Sequence, residues 1–357
     1  MMRLANRWPQ YLFALCAHYS GLDHLYRRMS GAGLVVLMLH RLRDEPDPYP
    51  LSMSRTSLRE LLDWLRHRDA LVSLDEGLRQ LGGCGAARLN YAITFDDGYR
   101  DNLQLIDEAL GTVPAVIYLV TSHIGGEPIW VYRITHAVEK RSRDHLDLGE
   151  LGLGHFDLAD AVDRERLYAL LPPRLKQFTP AQLEACIANV FEQTRPQPVP
   201  EERREMLDWE DVRRLDAHGI LIGGHTCTHV LLSQIDGATA RVEITQSHQR
   251  IATELGSPPR HFAYPNGGPD DFSERDVRLA RDAGFQTAVT TIEGVNRHGV
   301  DAFRLLRYNV HETRYRAPTG RLSEALFFSE TSGLLGWLRS FRTAGLNVLS
   351  VLSCFPY

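Results

Sequence analysis

The chain has 357 residues, of which 43% are hydrophobic and 24% are charged. This composition is ordinary for a globular protein and excludes wholesale disorder, a collagen-like repeat and a multi-span membrane protein. The 40 basic and 45 acidic side chains give a net charge of −5. Because there is no basic excess or basic stripe, we expect no nucleic-acid partner.

Cysteine usage and the N-terminus both bear on the cellular compartment. The five cysteines are odd in number and form no CxxC pair, which argues against a disulfide framework and favours reducing surroundings. The basic, partly apolar start is interrupted by Pro9, Gln10 and His18, so it is a weak signal peptide. We therefore expect a cytoplasmic protein rather than an exported one. The cysteines are Cys16, Cys84, Cys186, Cys227 and Cys354.

Apolar residues recur every three or four positions through residues 1–30, which predicts one amphipathic helix that ends at Gly31 and Gly33. The stripe consists of Leu4, Trp8, Leu12, Leu15, Tyr19, Leu22, Tyr26 and Met29. This segment carries four Arg against one Asp, a net charge of +3. We favour a helix packed on its own domain; the alternative is a helix lying on an anionic membrane surface. No apolar run in the chain reaches the ~18–20 residues of a membrane span.

Short apolar runs alternate with amphipathic stretches through the middle of the chain. This alternation predicts a parallel sheet with helices outside, either open or closed into a barrel. The predicted strands are 34–39, 91–95, 115–120, 220–222, 262–264 and 287–291. The predicted helices are 57–68, 101–110, 208–218, 239–255 and 273–283. Between about 125 and 207 the pattern becomes helix after helix with proline-rich joints, which predicts a helical insertion and a candidate substrate lid.

The first chemical motif is Thr94–Gly98 (TFDDG), at the end of a predicted strand. Functional groups of parallel α/β domains collect at the carboxyl ends of strands. Asp96 and Asp97 point to opposite faces within a strand, but both can turn toward one site once the strand breaks at Gly98. One carboxylate could then bind a metal ion while the other moves protons. The alternative is a turn that merely caps the next helix.

Two further motifs also follow strands. The motif His225–His229 (HTCTH) places two imidazoles four residues apart, so on a helix they would face one way and could hold one metal ion. Cys227 would point elsewhere, and HxxxH alone is weak evidence in a chain with 15 histidines. The motif Arg260–Gly267 (RHFAYPNG) runs into a Pro/Gly loop, which can present a backbone N–H to an oxyanion or be an ordinary tight turn.

Together and in this order, the three motifs resemble those of the polysaccharide deacetylase family, the NodB-homology carbohydrate esterases. The resemblance covers about residues 34–310 and implies a distorted (β/α) barrel that holds a divalent metal ion. The implied metal ligands are Asp97, His225 and His229. The resemblance also implies that Asp96 is the general base, that Arg260 orients Asp96 and keeps it ionised, and that Tyr264 offers its backbone N–H to the oxyanion.

The family's usual general acid, a histidine in a Leu-x-His motif late in the domain, has no clean match in this sequence. His40 ends the strand 34–39 and therefore lies at the same mouth as the other groups. A subset of the family, which includes deacetylases of exported poly-N-acetylglucosamine, resembles this chain in having an early strand-end histidine. We therefore favour His40 over His298 and His311 as the acid; the alternative is a histidine simply buried at a strand end.

Four further side chains have more than one interpretation. Arg304 and Arg307 could pair with the carboxylates of the site, touch the substrate or form plain ion pairs at the surface. Trp130 and Tyr132 open the insertion and could stack on a sugar ring or belong to the core.

We expect a helical arm (1–30), a deacetylase barrel (31–312) with its insertion, and a helical C-terminal tail (313–357). The predicted activity is metal-dependent removal of N-acetyl groups from amino sugars of a polysaccharide or glycan precursor, in exopolysaccharide or cell-envelope metabolism. Zn²⁺ is the preferred ion, with Co²⁺ and Ni²⁺ as alternatives. Two alternative functions are a catalytically silent saccharide-binding or scaffold protein and a deacylase of a lipid-linked sugar at the membrane. The oligomeric state, the sugar and the acyl group are not readable from the sequence.

Overall fold

Residues 8–45, 47–82, 88–198 and 204–343 are described by the structure, a computed structural model. The strands within these ranges are β1 (Gly33–Leu39), β2 (Arg41–Leu42), β3 (Ser52–Met53), β4 (Leu89–Phe95), β5 (Ala115–Leu119), β6 (His145–Leu148), β7 (Gly154–Asp157), β8 (Leu221–Gly224), β9 (His261–Ala263), β10 (Thr287–Val289) and β11 (Arg307–Asn309). The helices are α1 (Trp8–Tyr19), α2 (Leu22–Ser30), α3 (Arg55–His67), α4 (Leu74–Gly82), α5 (Trp130–Glu139), α6 (Ala161–Leu175), α7 (Pro180–Thr194), α8 (Trp209–Ala217), α9 (Gly237–Leu255), α10 (Glu274–Ala283), α11 (Glu324–Thr331) and α12 (Leu334–Thr343).

The main sheet of the described chain has seven parallel strands in the order β10-β9-β8-β5-β4-β1-β11. Its two edges meet, because Val289 at the end of β10 forms a parallel bridge to Leu305, just before β11. The Thr290 N–H donates to the Leu305 carbonyl at 2.8 Å, and the Leu305 N–H donates to the Ala288 carbonyl at 3.0 Å. These bonds nearly close the sheet, so the predicted distorted (β/α) barrel is confirmed.

Continuous apolar runs explain the central strands of the barrel. Every residue of β1 and β4 is buried, as expected for parallel strands that are covered on both faces. The helix α3 covers one face with four buried leucines. These leucines are Leu58, Leu61, Leu62 and Leu65. Because all seven strands run in one direction, their carboxyl ends open at a single mouth.

The segment 101–110 differs from its prediction as one α-helix. It forms two 3₁₀ helices, Arg100–Ile106 and Glu108–Leu110, separated by Asp107 in an extended conformation. The Asp107 carboxylate accepts from the Ala109 N–H at 2.9 Å and so caps the second helix. A side chain that bonds nearby backbone in this way competes with a continuous α-helix. Gly111, with φ of 63°, ends the second helix.

The insertion differs from its prediction as purely helical. The strands β6 and β7 form an antiparallel hairpin between α5 and α6. Burial alternates along β6, with Leu146 and Leu148 inside and His145 and Asp147 outside, and this period of two is typical of a half-buried strand. The hairpin and the insertion helices enclose an apolar cluster of their own, whose members include Phe156, Leu167, Leu171, Ile187 and Val190.

The N-terminal stretch forms two helices instead of the single helix predicted. Gly21 has a φ of 79° and separates α1 from α2. Ala14 and Ala17 are buried on the inner side of α1, where Ala14 packs in a cluster with residues of α11 and α12. Half of the predicted stripe faces solvent, so the expectation that it packs on the protein is wrong for these residues. The exposed fractions are 45% for Trp8, 51% for Leu12, 82% for Tyr19 and 64% for Met29.

The ends of the chain are described only in part. The helices α11 and α12 begin the predicted C-terminal tail, while residues 344–357, Leu4, Cys84 and Cys354 lie outside the described residues. Among the helices that are described, none combines the length and the apolar character needed to cross a bilayer. The division of the chain into arm, barrel and tail stays a prediction.

Candidate active site

The three predicted motifs meet at the mouth of the barrel. Asp96 and Asp97 follow β4, His225 follows β8, and Tyr264 follows β9. The chain turns sharply after β4, where Asp97 and Gly98 have φ angles of 79° and 84°. Aspartate is one of the few residues other than glycine that tolerate this conformation. The turn therefore lets both carboxylates lie at the mouth, as the sequence predicted.

Asp97, His225 and His229 form a group that fits a metal ion. The Asp97 Oδ1 atom lies 3.5 Å from the Nε2 atoms of both histidines, and the three ligand atoms all lie within 4.8 Å of one another. Asp97 Oδ1 is buried and has no hydrogen-bond partner among the described residues. One carboxylate and two imidazoles are a known donor set for catalytic zinc, and three protein ligands leave one position open.

The hydrogen bond of His225 prepares it for metal binding. Its Nδ1 atom lies 2.8 Å from the Ala263 carbonyl, which can only accept, so Nδ1 carries the proton. The Nε2 atom therefore presents its lone pair toward Asp97, the arrangement common to metal-ligating histidines. Burial lowers the pKa of both His225 and His229, so each ring is held in the neutral form that binds metal.

The helical explanation for the HTCTH motif is wrong, although its two rings do meet. Residues 225–229 form a loop in which Thr226 and His229 have positive φ angles of 63° and 60°. The ring centroids of His225 and His229 lie 4.9 Å apart. The Thr226 hydroxyl accepts from the His229 N–H at 3.1 Å and tightens this turn. Cys227 is not part of the ligand group, as predicted.

Glu243 on α9 holds this loop, and the sequence reasoning missed it. One carboxylate oxygen accepts from the Cys227 N–H at 2.8 Å and from the Thr228 N–H at 2.9 Å. The other oxygen accepts from the Thr228 hydroxyl at 2.8 Å. The available signal was its place beside Ile244, on the face of α9 that the apolar pattern predicts to be buried.

Asp96 is paired with Arg307, which is completely buried. Arg307 Nη1 donates to Asp96 Oδ1 at 2.7 Å and Nη2 donates to Oδ2 at 2.8 Å. The third nitrogen, Nε, donates to the Thr290 carbonyl at 2.7 Å and fixes the guanidinium plane. Burial alone raises the pKa of Asp96, but the Arg307 charge and hydrogen bonds outweigh it and hold that pKa below the ordinary carboxyl range. Asp96 is therefore ionised.

The prediction that Arg260 orients Asp96 is wrong. Arg260 precedes β9 and therefore lies at the amino end of the barrel, opposite the mouth, where it pairs with Asp75. Of the two arginines with open interpretations, Arg307 reaches the site. Arg304 pairs instead with Asp301 and Glu274 at the surface.

The adjacent carboxylates have opposite electrostatic surroundings. Burial, and then the Asp96 charge, raise the pKa of Asp97 to about 8, while Arg307 lowers that of Asp96. A cation held by Asp97 and the histidines would give Asp97 a positively charged neighbour, as Arg307 is for Asp96. Environments that push two neighbouring carboxylates apart in pKa are typical of sites where each has its own role.

His40 is the one candidate general acid that lies in the site. Burial lowers its pKa to about 4, while the charges of Asp96, Arg307 and His225 all act on its ring. His298 lies near the other end of the barrel, where its Nδ1 donates to the Leu81 carbonyl at 3.0 Å. His311 lines a separate cleft with residues of α11 and α12.

The Tyr264 N–H is already engaged, which departs from the expectation that it serves the oxyanion. It donates to the Val289 carbonyl at 3.2 Å and extends the pairing of β9 with β10. Asn266 lies two residues further along, has a φ of 57° and lines a cleft beside His229. Of these two residues, Asn266 is the one that lines the cleft.

The cleft beside His229 has a volume of about 320 Å³ and lies between the barrel and the insertion. Trp130, Leu175, Phe178 and Leu183 line it from the insertion, with Val230 and Leu231 from the barrel. Trp130 thus lies where a sugar ring could stack. Tyr132 belongs to the core, because it is buried and its hydroxyl donates to Asp47 at 2.7 Å.

Comparisons with known proteins agree with this geometry. Residues 182–288 match the family model described as polysaccharide deacetylase. No protein with a curated description matches the sequence. Among solved structures, the deacetylase PplD of Streptococcus pyogenes in complex with acetate is 15% identical with a TM-score of 0.52, over 81% of this chain and 96% of that chain.

Two further solved structures have similar folds. IcaB from Ammonifex degensii is 19% identical with a TM-score of 0.51, over 78% of this chain and 92% of that chain. A polysaccharide deacetylase from Bacillus cereus is 15% identical with a TM-score of 0.50, over 84% of this chain and 69% of that chain. At these identities the structures establish a shared fold, while the family match includes the second and third motifs. The predicted resemblance to the polysaccharide deacetylases is therefore confirmed, and with it the prediction of an enzyme that hydrolyses amide bonds of N-acetylated sugars.

Proposed function

We propose that this protein removes N-acetyl groups from amino sugars of a polysaccharide or glycan precursor by metal-dependent hydrolysis. The observation that carries the proposal is the juxtaposition at the barrel mouth. There, a group of three metal ligands lies beside Asp96, a carboxylate held ionised by Arg307. This arrangement combines a candidate metal site with a candidate general base, a combination that suits metal-assisted hydrolysis of an amide.

The ligands would be Asp97, His225 and His229, whose donor set suits Zn²⁺ and also accepts Co²⁺ or Ni²⁺. When bound, the ion supplies Lewis acidity toward water and toward the amide carbonyl. The His225 tautomer set by the Ala263 carbonyl and the loop clamped by Glu243 support the same assignment. Both keep the ligand atoms in place before any ion arrives.

Asp96 and His40 would divide the proton transfers. Asp96 accepts a proton as water attacks the amide carbon, and His40 delivers a proton to the sugar nitrogen as the C–N bond breaks. The His40 pKa near 4 leaves its ring neutral in the resting protein, so its proton must come from within the site. Asp96, whose charge acts on His40, is the group that has just gained one.

The cleft beside His229 would hold the sugar. Its volume of about 320 Å³ is at the small end of the range for ligand pockets, and its wall combines the aromatic residues Trp130 and Phe178 with polar residues that include Asn266. The Trp130 ring would stack on the apolar face of the sugar. The acetyl group would then point toward the metal ligands, of which His229 lines the cleft.

Acetate release from N-acetylated amino-sugar glycans tests the proposal, together with the metal content of each purified protein. We expect about one equivalent of metal in the wild type and little in Asp97→Ala or His225→Ala. Asp96→Asn should keep its metal and lose turnover, whereas Asp75→Asn at the opposite end of the barrel serves as the control. Full activity of Asp96→Asn would refute the role of Asp96. Glycan binding without acetate release would favour the saccharide-binding alternative.

A further inference from the structure

The outer face of the N-terminal helices is apolar. We define this outer face as Trp8, Leu12, Cys16 and Tyr19 of α1 with Leu25 and Met29 of α2, all of which are exposed. The spacings of four, four and three residues in α1 place its members on one side of the helix. A contiguous exposed patch of large apolar side chains is rare on a monomeric protein unless it binds something.

The rest of the protein fixes the direction of the outer face. On the opposite side of α1, Ala14 belongs to an apolar cluster with Leu326 of α11 and Leu335 of α12. On α2, the Arg27 guanidinium lies over the Phe328 ring at 5.5 Å. Because these contacts secure the inner side of both helices, the outer face cannot turn inward without breaking them.

No acidic side chain is exposed on the described N-terminal helices. Asp23 is the one acidic residue of the segment 1–30 by sequence, and it is buried against His18 and Arg27. Arg28 is exposed next to Met29, and the sequence has Arg3 and Arg7 just before α1. The described part of the segment thus exposes Arg28 beside apolar groups and keeps its acid inside.

We propose that the outer face docks on an anionic membrane surface, with α1 lying in the plane of the interface. Trp8 and Tyr19 are the residue types that concentrate at membrane interfaces, and the basic residues complement anionic headgroups. Charge complementarity favours a lipid surface over a second copy of the chain, which would bring two basic segments together. The proposal is independent of the proposed catalytic activity, because the outer face contains none of the site residues.

Flotation of the full-length protein with lipid vesicles tests this proposal. We expect binding to phosphatidylglycerol-containing vesicles at low salt, with weaker binding to pure phosphatidylcholine and at high salt, where charges are screened. The double variant Leu12→Glu, Tyr19→Glu should bind at least roughly tenfold more weakly, because it places two acids on the exposed apolar face that would contact the lipid. Val162→Glu, at a position that is 70% exposed in the insertion, is the matched control and should bind like the wild type.

Thermal unfolding of each variant checks that a loss of binding is not a loss of fold. Wild-type protein that stays unbound with anionic vesicles at low salt would overturn the proposal, and so would an equal loss of binding in Val162→Glu. Sedimentation velocity tests the competing possibility that a second copy of the chain covers the outer face. A dimer that dissociates in the double variant would assign the outer face to a second copy and would also overturn the proposal.

Discussion

The barrel mouth and the outer face of the N-terminal helices both invert the usual distribution of residues. The mouth buries two carboxylates and an arginine, whereas the outer face exposes aromatic and aliphatic side chains. Buried charges and large exposed apolar patches are both costly and therefore informative. The two regions differ in how this cost is offset. At the mouth, other residues of the chain pair with most of the buried charged groups, while no described residue covers the outer face.

In each region, the groups that have no partner within the described chain suggest the kind of partner that we propose for it. At the mouth, Arg307 satisfies Asp96, but the buried Asp97 Oδ1 atom has no hydrogen-bond partner in the described part of the chain and lies 3.5 Å from the Nε2 atoms of two histidines. A buried carboxylate oxygen beside two imidazole nitrogens suits a metal cation. On the outer face, exposed apolar side chains lie beside the exposed Arg28, and this combination is the basis of the proposed docking on an anionic lipid surface.

The largest expected effect comes from removing Arg307, the charge partner of Asp96 at the mouth. Arg307→Met leaves Asp96 buried without its ion pair, which should lower the free energy of unfolding by roughly 3–5 kcal/mol. Arg304→Met removes two ion pairs at the surface from the same short segment and should cost about 0–1 kcal/mol for each pair. Urea unfolding of both variants measures the difference. Equal losses in the free energy of unfolding would mean that the buried Asp96–Arg307 pair matters no more for stability than the surface ion pairs of Arg304.

A smaller effect is expected for Glu243, which supports the metal ligands only indirectly by holding their loop. Glu243→Gln removes one of the two carboxylate acceptors that hold residues 227 and 228, and should lower zinc affinity by roughly 10–100-fold while the fold persists. Competition with a chelator measures this affinity. Glu254→Gln, on the same helix but paired with Arg213 and Arg250, is the control. Unchanged zinc affinity in Glu243→Gln would show that the loop holds without this carboxylate.

The smallest expected effect is on the outer face. Tyr19→Ser removes a large aromatic side chain, but because it is 82% exposed the free energy of unfolding should change by no more than about 0.5 kcal/mol. Ala17→Leu on the buried side of the same helix should cost roughly 1–3 kcal/mol through overpacking. Thermal or urea unfolding compares the two. A comparable loss in Tyr19→Ser would mean that the outer face is covered in the free protein.

The sequence alone determined the strands that build the mouth and the motifs that follow them. The apolar runs of β1 and β4 predict buried parallel strands, and parallel strands place Asp96, Asp97, His40 and His225 at one end. These inferences depend on local pattern and strand direction, which a sequence records directly. The same reasoning predicted a helical HTCTH motif, because the spacing of two histidines does not reveal that a distant glutamate holds them in a loop.

Only the tertiary structure decided which residues pair with one another across the chain. Arg307 lies 211 residues from Asp96, and the pattern FRLLR cannot distinguish the arginine that enters the barrel from the one that stays outside. Arg260 was a plausible partner by motif, yet its position before β9 places it at the wrong end of a strand. Likewise, periodicity identifies the apolar side of the N-terminal helices but not whether anything covers it. Local sequence sets which side chains can share a face, whereas long-range packing determines what that face meets.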